Sequence, residues 1–316
     1  MGDFEAAIEA IVRECMAVRG GERVLVVCDS TTRRIGEALR GTAAAVGADA
    51  VLAVMDPRDV DGQEPADPVA GAMLRADVVI AATLKSVSHT VARREANERG
   101  ARVATLPGIS DEILARMMSA DLDALRRRSR AVAAALDAAS EARITCASGS
   151  DLRLSLSGRA GIADTGELTE PGAFGNLPCG EGFIAPLEGG SEGTLVADGT
   201  IAGFGLPSEP ARLRIEGGHL VEAEGEAGEW LLGTLRAAGP EGTNVAELGV
   251  GTNERARLGD NLLEAEKILG TVHVAFGASA GIGGKVQVPV HIDCVVTRPT
   301  LELDGEPLVR DGRLLV

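Results

Sequence analysis

Tyrosine is absent from this 316-residue chain, which carries one tryptophan and five phenylalanines. A core with so little aromatic bulk must rest on alanine, valine, leucine and isoleucine. The five cysteines, at 15, 28, 146, 179 and 294, form no CxxC pair and no zinc-ribbon spacing, and they are read as reduced thiols of a cytoplasmic protein. Positive charge is in deficit, with 31 Lys and Arg against 47 Asp and Glu, a net charge of −16. Such a field repels phosphate backbones and anionic lipid, so nucleic acid and membrane surfaces are excluded as expected partners and a small-molecule or small-peptide substrate is left open. No apolar run approaches the roughly 20 residues of a membrane span. The opening MGDFEAAIEAIVREC is read as an acidic amphipathic helix and not a signal peptide.

Several catalytic motifs are also missing. The first strand runs into CDSTTRRIGE, where a dinucleotide-binding turn would need G-x-G-x-x-G. GASAGIGGKV resembles a phosphate loop only briefly, because Ser279 stands at the first glycine and Val286 replaces the Ser/Thr. No G-x-S-x-G elbow occurs, so a serine hydrolase of that class has no support.

What is present divides in two. Up to about residue 140, apolar runs such as RVLVVC, DAVLAVM, ADVVIAAT and ARVATLP alternate with helical periodicity, the grammar of a parallel α/β sheet. The helical stretch 111–142 is expected to break near Ser119. From Ile144, in ITCASGSDLRLSLSGR, short alternating strands punctuated by glycine take over. The expected organisation is an α/β N-terminal domain with a mostly parallel sheet, residues 1–143, and an α+β, strand-rich domain, residues 144–316.

Two of only four histidines fall in the second domain's apolar stretches TVHVAFG and VPVHIDC. With 286–296 read as one strand, Val286, Val288, Val290, Ile292, Cys294 and Val296 share one face, while Gln287, Pro289, His291 and Asp293 share the other. His291 and Asp293 then project together, roughly 7 Å apart at the backbone. In 267–277, His273 lies opposite the apolar face of Ile268, Val272, Val274 and Phe276. If the two strands pair, His273, His291 and Asp293 form a two-histidine, one-carboxylate set that suits Fe(II), Zn or Mn. The same residues admit a plainer reading, a strand histidine satisfied by the aspartate two residues on, and these three positions alone leave both open. Glu266 in NLLEAEKILG and Glu181 in NLPCGEGFIAP would supply oxygen ligands for a second ion, or face solvent.

NLPCGEGFIAP, AELGVGTNERARLGDNLLEAEKILGTVHVAFG, the VPVHIDC ending and SVSHTVARREANERGARVATLPGIS together cover much of the chain in order. They resemble the aminopeptidase T family of metallopeptidases, a group that includes the 2,5-dihydroxypyridine ring-cleaving dioxygenases. The resemblance implies ligands at Glu181, Glu266, His273, His291 and Asp293. In the peptidases these positions hold two divalent ions (Zn, Co or Mn); in the dioxygenases one iron uses the two histidines and the aspartate. It also implies a homodimer. One departure stands out: the peptidases carry a catalytic tyrosine soon after the His273 position, and here Ala280 stands near that place.

The leading expectation is therefore a metal-dependent hydrolase that removes N-terminal residues from peptides, with metal-activated water, Glu181 as general base and Glu266 completing the second site. The alternative is a mononuclear iron dioxygenase acting on a hydroxylated ring. A third is a metal-binding member of the group without peptidase activity. His89, among Ser86, Ser88 and Thr90, is read either as part of a helix-capping turn or as a substrate contact. Cys179 is expected to pack, and His219 to be solvated in the EGGHL turn.

Overall fold

The computed structural model describes residues 2–316. The chain forms two compact units, one of residues up to Ala120 with Gly166–Cys179, the other of Asp121–Thr165 with Gly180–Val316.

In the first unit a five-stranded parallel sheet runs in the order Asp49–Met55, Arg23–Asp29, Val78–Ala82, Arg102–Thr105, Phe174–Asn176. The central VVIAA is buried at every position, as a parallel strand covered on both faces should be. Helix Arg33–Ala45 buries Ile35, Gly36, Leu39 and Ala43. At Gly36 a Cβ would come within 2.7 Å of Cys28 Sγ, so glycine lets the helix lie close on the first strand. Helix starts are capped by side chains: Thr90 Oγ1 accepts from the Arg93 amide, and Ser110 Oγ from the Ile113 amide. Residues 166–179 contribute the sheet's last strand, which its three residues, FGN, did not announce by any apolar alternation.

The second unit has an eight-stranded antiparallel sheet, from His219–Glu224 at one edge through Glu141–Thr145 to Arg313–Leu314 at the other, and a five-stranded antiparallel sheet. One apolar core joins Ile144, Leu152, Leu154 and Leu195 of the larger sheet to Leu248, Val250, Val272, Val274, Phe276 and Cys294 of the smaller. The expected helix break near Ser119 is found, between Asp111–Met117 and Leu122–Ala138. The expected boundary at 143/144 instead falls inside the second unit, because Val132 and Leu136 of that second helix bury themselves in its core. Gly182 shows why the helix fits: a Cβ there would meet Val132 Cγ1 at 2.6 Å.

Two local expectations need correction. Residues 286–290 are not strand; pairing begins at His291 and runs to Val296, since Pro289 has no amide to donate. His219 begins a strand, half-buried, with Nδ1 3.1 Å from Thr243 Oγ1, and is not a solvated turn residue. Among the described residues no helix is long and apolar enough to cross a membrane.

Candidate metal centre

The smaller sheet places its strands in the order His291–Val296, Val272–Gly277, Val245–Gly251, Glu181–Ile184, Ile162–Asp164. Residues directly opposite on paired strands share a face. Asp293 lies opposite Ala275, and His273 opposite both Val295 and Gly249. Glu181 lies opposite Gly251 and Asp164. One face of the sheet therefore carries His291, Asp293, His273, Glu247, Glu181 and Asp164, while the other supplies the apolar core.

At the centre lies Glu247. Its Oε1 is 3.3 Å from His273 Nε2 and its Oε2 3.3 Å from His291 Nε2. His273 Nε2 is also 3.3 Å from Glu181 Oε2, and His291 Nε2 is 3.6 Å from Asp293 Oδ1. Two sets of atoms each fall within 4.8 Å of one another: Glu181 with Glu247 and His273, and Glu247 with His291 and Asp293. His291 Nδ1 donates to the Ala278 carbonyl at 2.7 Å. That bond fixes the tautomer and aims the Nε2 lone pair at the carboxylates, as for a metal-ligating imidazole. Glu181 Oε2 and His273 Nδ1 are buried without a hydrogen-bond partner. A buried carboxylate oxygen left so is costly, and a divalent cation would satisfy it.

Beside these groups, Lys267 is wholly buried and its Nζ donates to Glu181 Oε1 at 2.7 Å and Glu266 Oε1 at 2.8 Å. Burial pushes its ammonium down, but the charges of Glu181, Glu266 and Asp164 outweigh that and hold it well above the ordinary lysine value. Burial pushes Glu181 up, and Glu266 up to about 7, against the opposing pull of Lys267. Burial also opposes the imidazolium of His273, yet its hydrogen bond to Glu247 and the charges of Glu181 and Asp293 raise it to about 9. Glu247 is driven the other way: burial raises it, and the two histidines outweigh that and hold it far below the carboxylate range. The cluster is thus a field built for positive charge, and a divalent ion would compete with protons for it. Two imidazoles and three carboxylates form a donor set that fits Fe(II), Zn or Mn.

Of the sequence candidates, Glu181 and His273 fall in one group and His291 and Asp293 in the other. Glu266 falls in neither; it ends the short helix Leu262–Ala265 and is held by Lys267. The shared carboxylate, Glu247, went unread in the sequence, although it is the one charge in the wholly buried strand VAELGVG. Lys267 and Asp164 were missed as well, their surroundings giving no periodic signal. His89 lies in the first unit, exposed, with its carbonyl accepting from Arg94 Nη1 at 2.8 Å. Cys179 belongs to that unit too.

A sequence profile of the 2,5-dihydroxypyridine 5,6-dioxygenase family matches residues 3–316. A 2,5-dihydroxypyridine 5,6-dioxygenase of Pseudomonas putida is 29% identical over 218 residues, covering 64% of this chain and 61% of that protein, so the match spans less than two thirds of the relative's length. Among solved structures, a 2,5-dihydroxypyridine dioxygenase from Pseudomonas putida superposes with a TM-score of 0.84 at 21% identity, covering 100% of this chain and 98% of that one. Wild-type AmpT from Thermus thermophilus superposes with a TM-score of 0.75 at 19% identity, covering 99% of each chain. At such identities the two structures speak for the fold.

Proposed function

This chain belongs to the 2,5-dihydroxypyridine 5,6-dioxygenase family, and from that premise we propose that it is a ring-cleaving dioxygenase acting on a dihydroxylated ring, with one divalent iron held by His273, His291 and Asp293 around Glu247. The family match favours this reading over the peptide hydrolase that the sequence first suggested. The absence of any tyrosine weighs the same way, since the peptidase's oxyanion-stabilising phenol has no counterpart.

The observation that carries the proposal is the convergence of two imidazole Nε2 atoms on the two oxygens of Glu247, with Asp293 beside them. Iron bound there would supply the one-electron redox chemistry that couples O2 to an electron-rich ring. The protein's own groups do the rest. The Ala278 carbonyl holds the His291 ring in one orientation. Glu181, raised by burial and with Oε2 unpartnered, is placed to accept a proton from a ring hydroxyl. The apolar back of the sheet makes the strands rigid, so the ligand atoms keep their spacing.

One observation favours a second reading. Two three-residue groups sharing one carboxylate are also what a two-ion hydrolase needs. The test is anaerobic loading with Fe(II), elemental analysis, and an oxygen electrode with 2,5-dihydroxypyridine and related diols. One iron per chain and substrate-dependent oxygen consumption, lost in Glu181→Gln without loss of fold, support the dioxygenase. Two ions per chain with amine release from peptides and no oxygen consumption overturn it.

A further inference from the structure

Among the largest fully buried side chains of the described residues, one is charged, Lys267. Three carboxylates reach its Nζ from three separate elements: Glu181 at 2.7 Å from its strand, Asp164 at 3.7 Å from the adjoining strand, and Glu266 at 2.8 Å from a helix end. The backbone holds the amine there. The Lys267 carbonyl accepts from the Asn253 amide at 2.9 Å. Gly251 has no room for a side chain, because a Cβ would stand 2.1 Å from the Ile268 carbonyl and 2.7 Å from the Lys267 carbonyl carbon. The chain at 267–268 therefore lies directly on the strand.

Glu181 is divided between two environments. Its Oε1 accepts from the ammonium, while its Oε2 is buried, without a hydrogen-bond partner, and 3.3 Å from His273 Nε2. The two oxygens thus face two positions for positive charge, one occupied by lysine and the other belonging to the histidine cluster.

We propose that the Lys267 ammonium fills a second cation site, built by Glu181, Glu266 and Asp164, and excludes metal from it, so that divalent ions are confined to the histidine side of Glu181. The inference rests on the metal reading above and names the residue that limits how many ions the centre accepts. Three carboxylates around one vacated position form an all-oxygen set, suited to Mn(II). Lys267→Met keeps the length of the stem and removes the charge. It is a positioning residue, since it acts through Glu181 and not on substrate.

The experiment counts manganese. Metal-free wild type and Lys267→Met are dialysed against Mn(II) alone, and bound metal per chain is measured by elemental analysis, with free ion followed by electron paramagnetic resonance. The expected result is one more ion per chain in the variant than in the wild type. Adding Glu266→Gln to the variant should remove that extra ion. An equal count in the two folded proteins, or an extra ion that persists without Glu266, overturns the proposal. Should Lys267→Met fold only with manganese present, the count is made on the refolded protein. A variant that stays unfolded even with excess manganese also overturns it, because an ion in the vacated position would restore the missing charge. A wild type that binds no manganese would refute the metal reading itself, and the comparison, one against none, would still decide this inference.

Discussion

His273 lies directly over Gly249: a Cβ on Gly249 would stand 2.0 Å from the imidazole Nε2 and 2.2 Å from Cε1. Gly249 is therefore the cradle that lets the ring reach both Glu247 and Glu181 from the neighbouring strand. Gly249→Ala should push the ring out of the centre and weaken metal binding by at least about 10- to 100-fold, the scale seen when support of a ligating histidine is lost. Equilibrium dialysis with Co(II), alongside circular dichroism to show that the fold survives, measures this. Unchanged affinity in a folded variant would mean that the His273 ring takes no part in binding metal.

Glu247 and Glu266 make a matched pair for a second test. Both are buried acids, but one touches both histidines and the other touches Lys267. Glu247→Gln should abolish metal binding. Glu266→Gln should leave the bound metal in place and cost little stability, because burial already disfavours the ionised acid and the amide oxygen still accepts from Lys267. Metal analysis and denaturant unfolding of the two variants separate these outcomes. Metal lost from Glu266→Gln and kept in Glu247→Gln would reverse the assignment.

The contrast between those two acids shows how far the sequence could be read. His273, His291 and Asp293 were legible because strand alternation separates them from the valines and isoleucines that make the core. The first unit was legible from its apolar runs and capped helices. Glu247 was not, because a strand buried at all seven positions shows no alternation against which an acid stands out. Glu266 looked like a ligand because it precedes the His273 strand; nothing in EAEKILG shows that the adjacent lysine turns inward and takes it. The strand from Phe174 to Asn176 was hidden for a third reason: it joins the first unit's sheet from residues far along the chain.

Stability of the first unit should depend on pH through Glu22 and Arg102. Arg102 is buried; its Nη2 and Nη1 donate to Glu22 at 2.8 and 3.0 Å, and its Nε donates to the Met16 carbonyl at 3.1 Å. Burial pushes the Glu22 carboxyl up, but the hydrogen bonds from Arg102 and from the Arg19 amide outweigh it and leave it below its ordinary value. A carboxyl lowered by folding adds stability that is complete above its unfolded value, near 4.3, and is lost as pH falls through the folded one. Arg102→Met should cost about 3 kcal/mol at neutral pH, the lower end for breaking a buried ion pair, and should narrow its deficit against wild type as pH falls below about 4. Thermal unfolding of both proteins across that range measures the gap, and a deficit independent of pH would remove the ion pair as its cause.

The most direct test of the account uses labelled oxygen. Fe(II)-loaded protein is given 2,5-dihydroxypyridine or a related dihydroxylated ring under 18O2, and the product is weighed by mass spectrometry. A ring-cleaving dioxygenase predicts an opened product carrying both labelled atoms, and the same protein with Glu247→Gln should give none. Peptide hydrolysis by the metal-loaded chain, with no label taken up from oxygen by any ring tested, would contradict it.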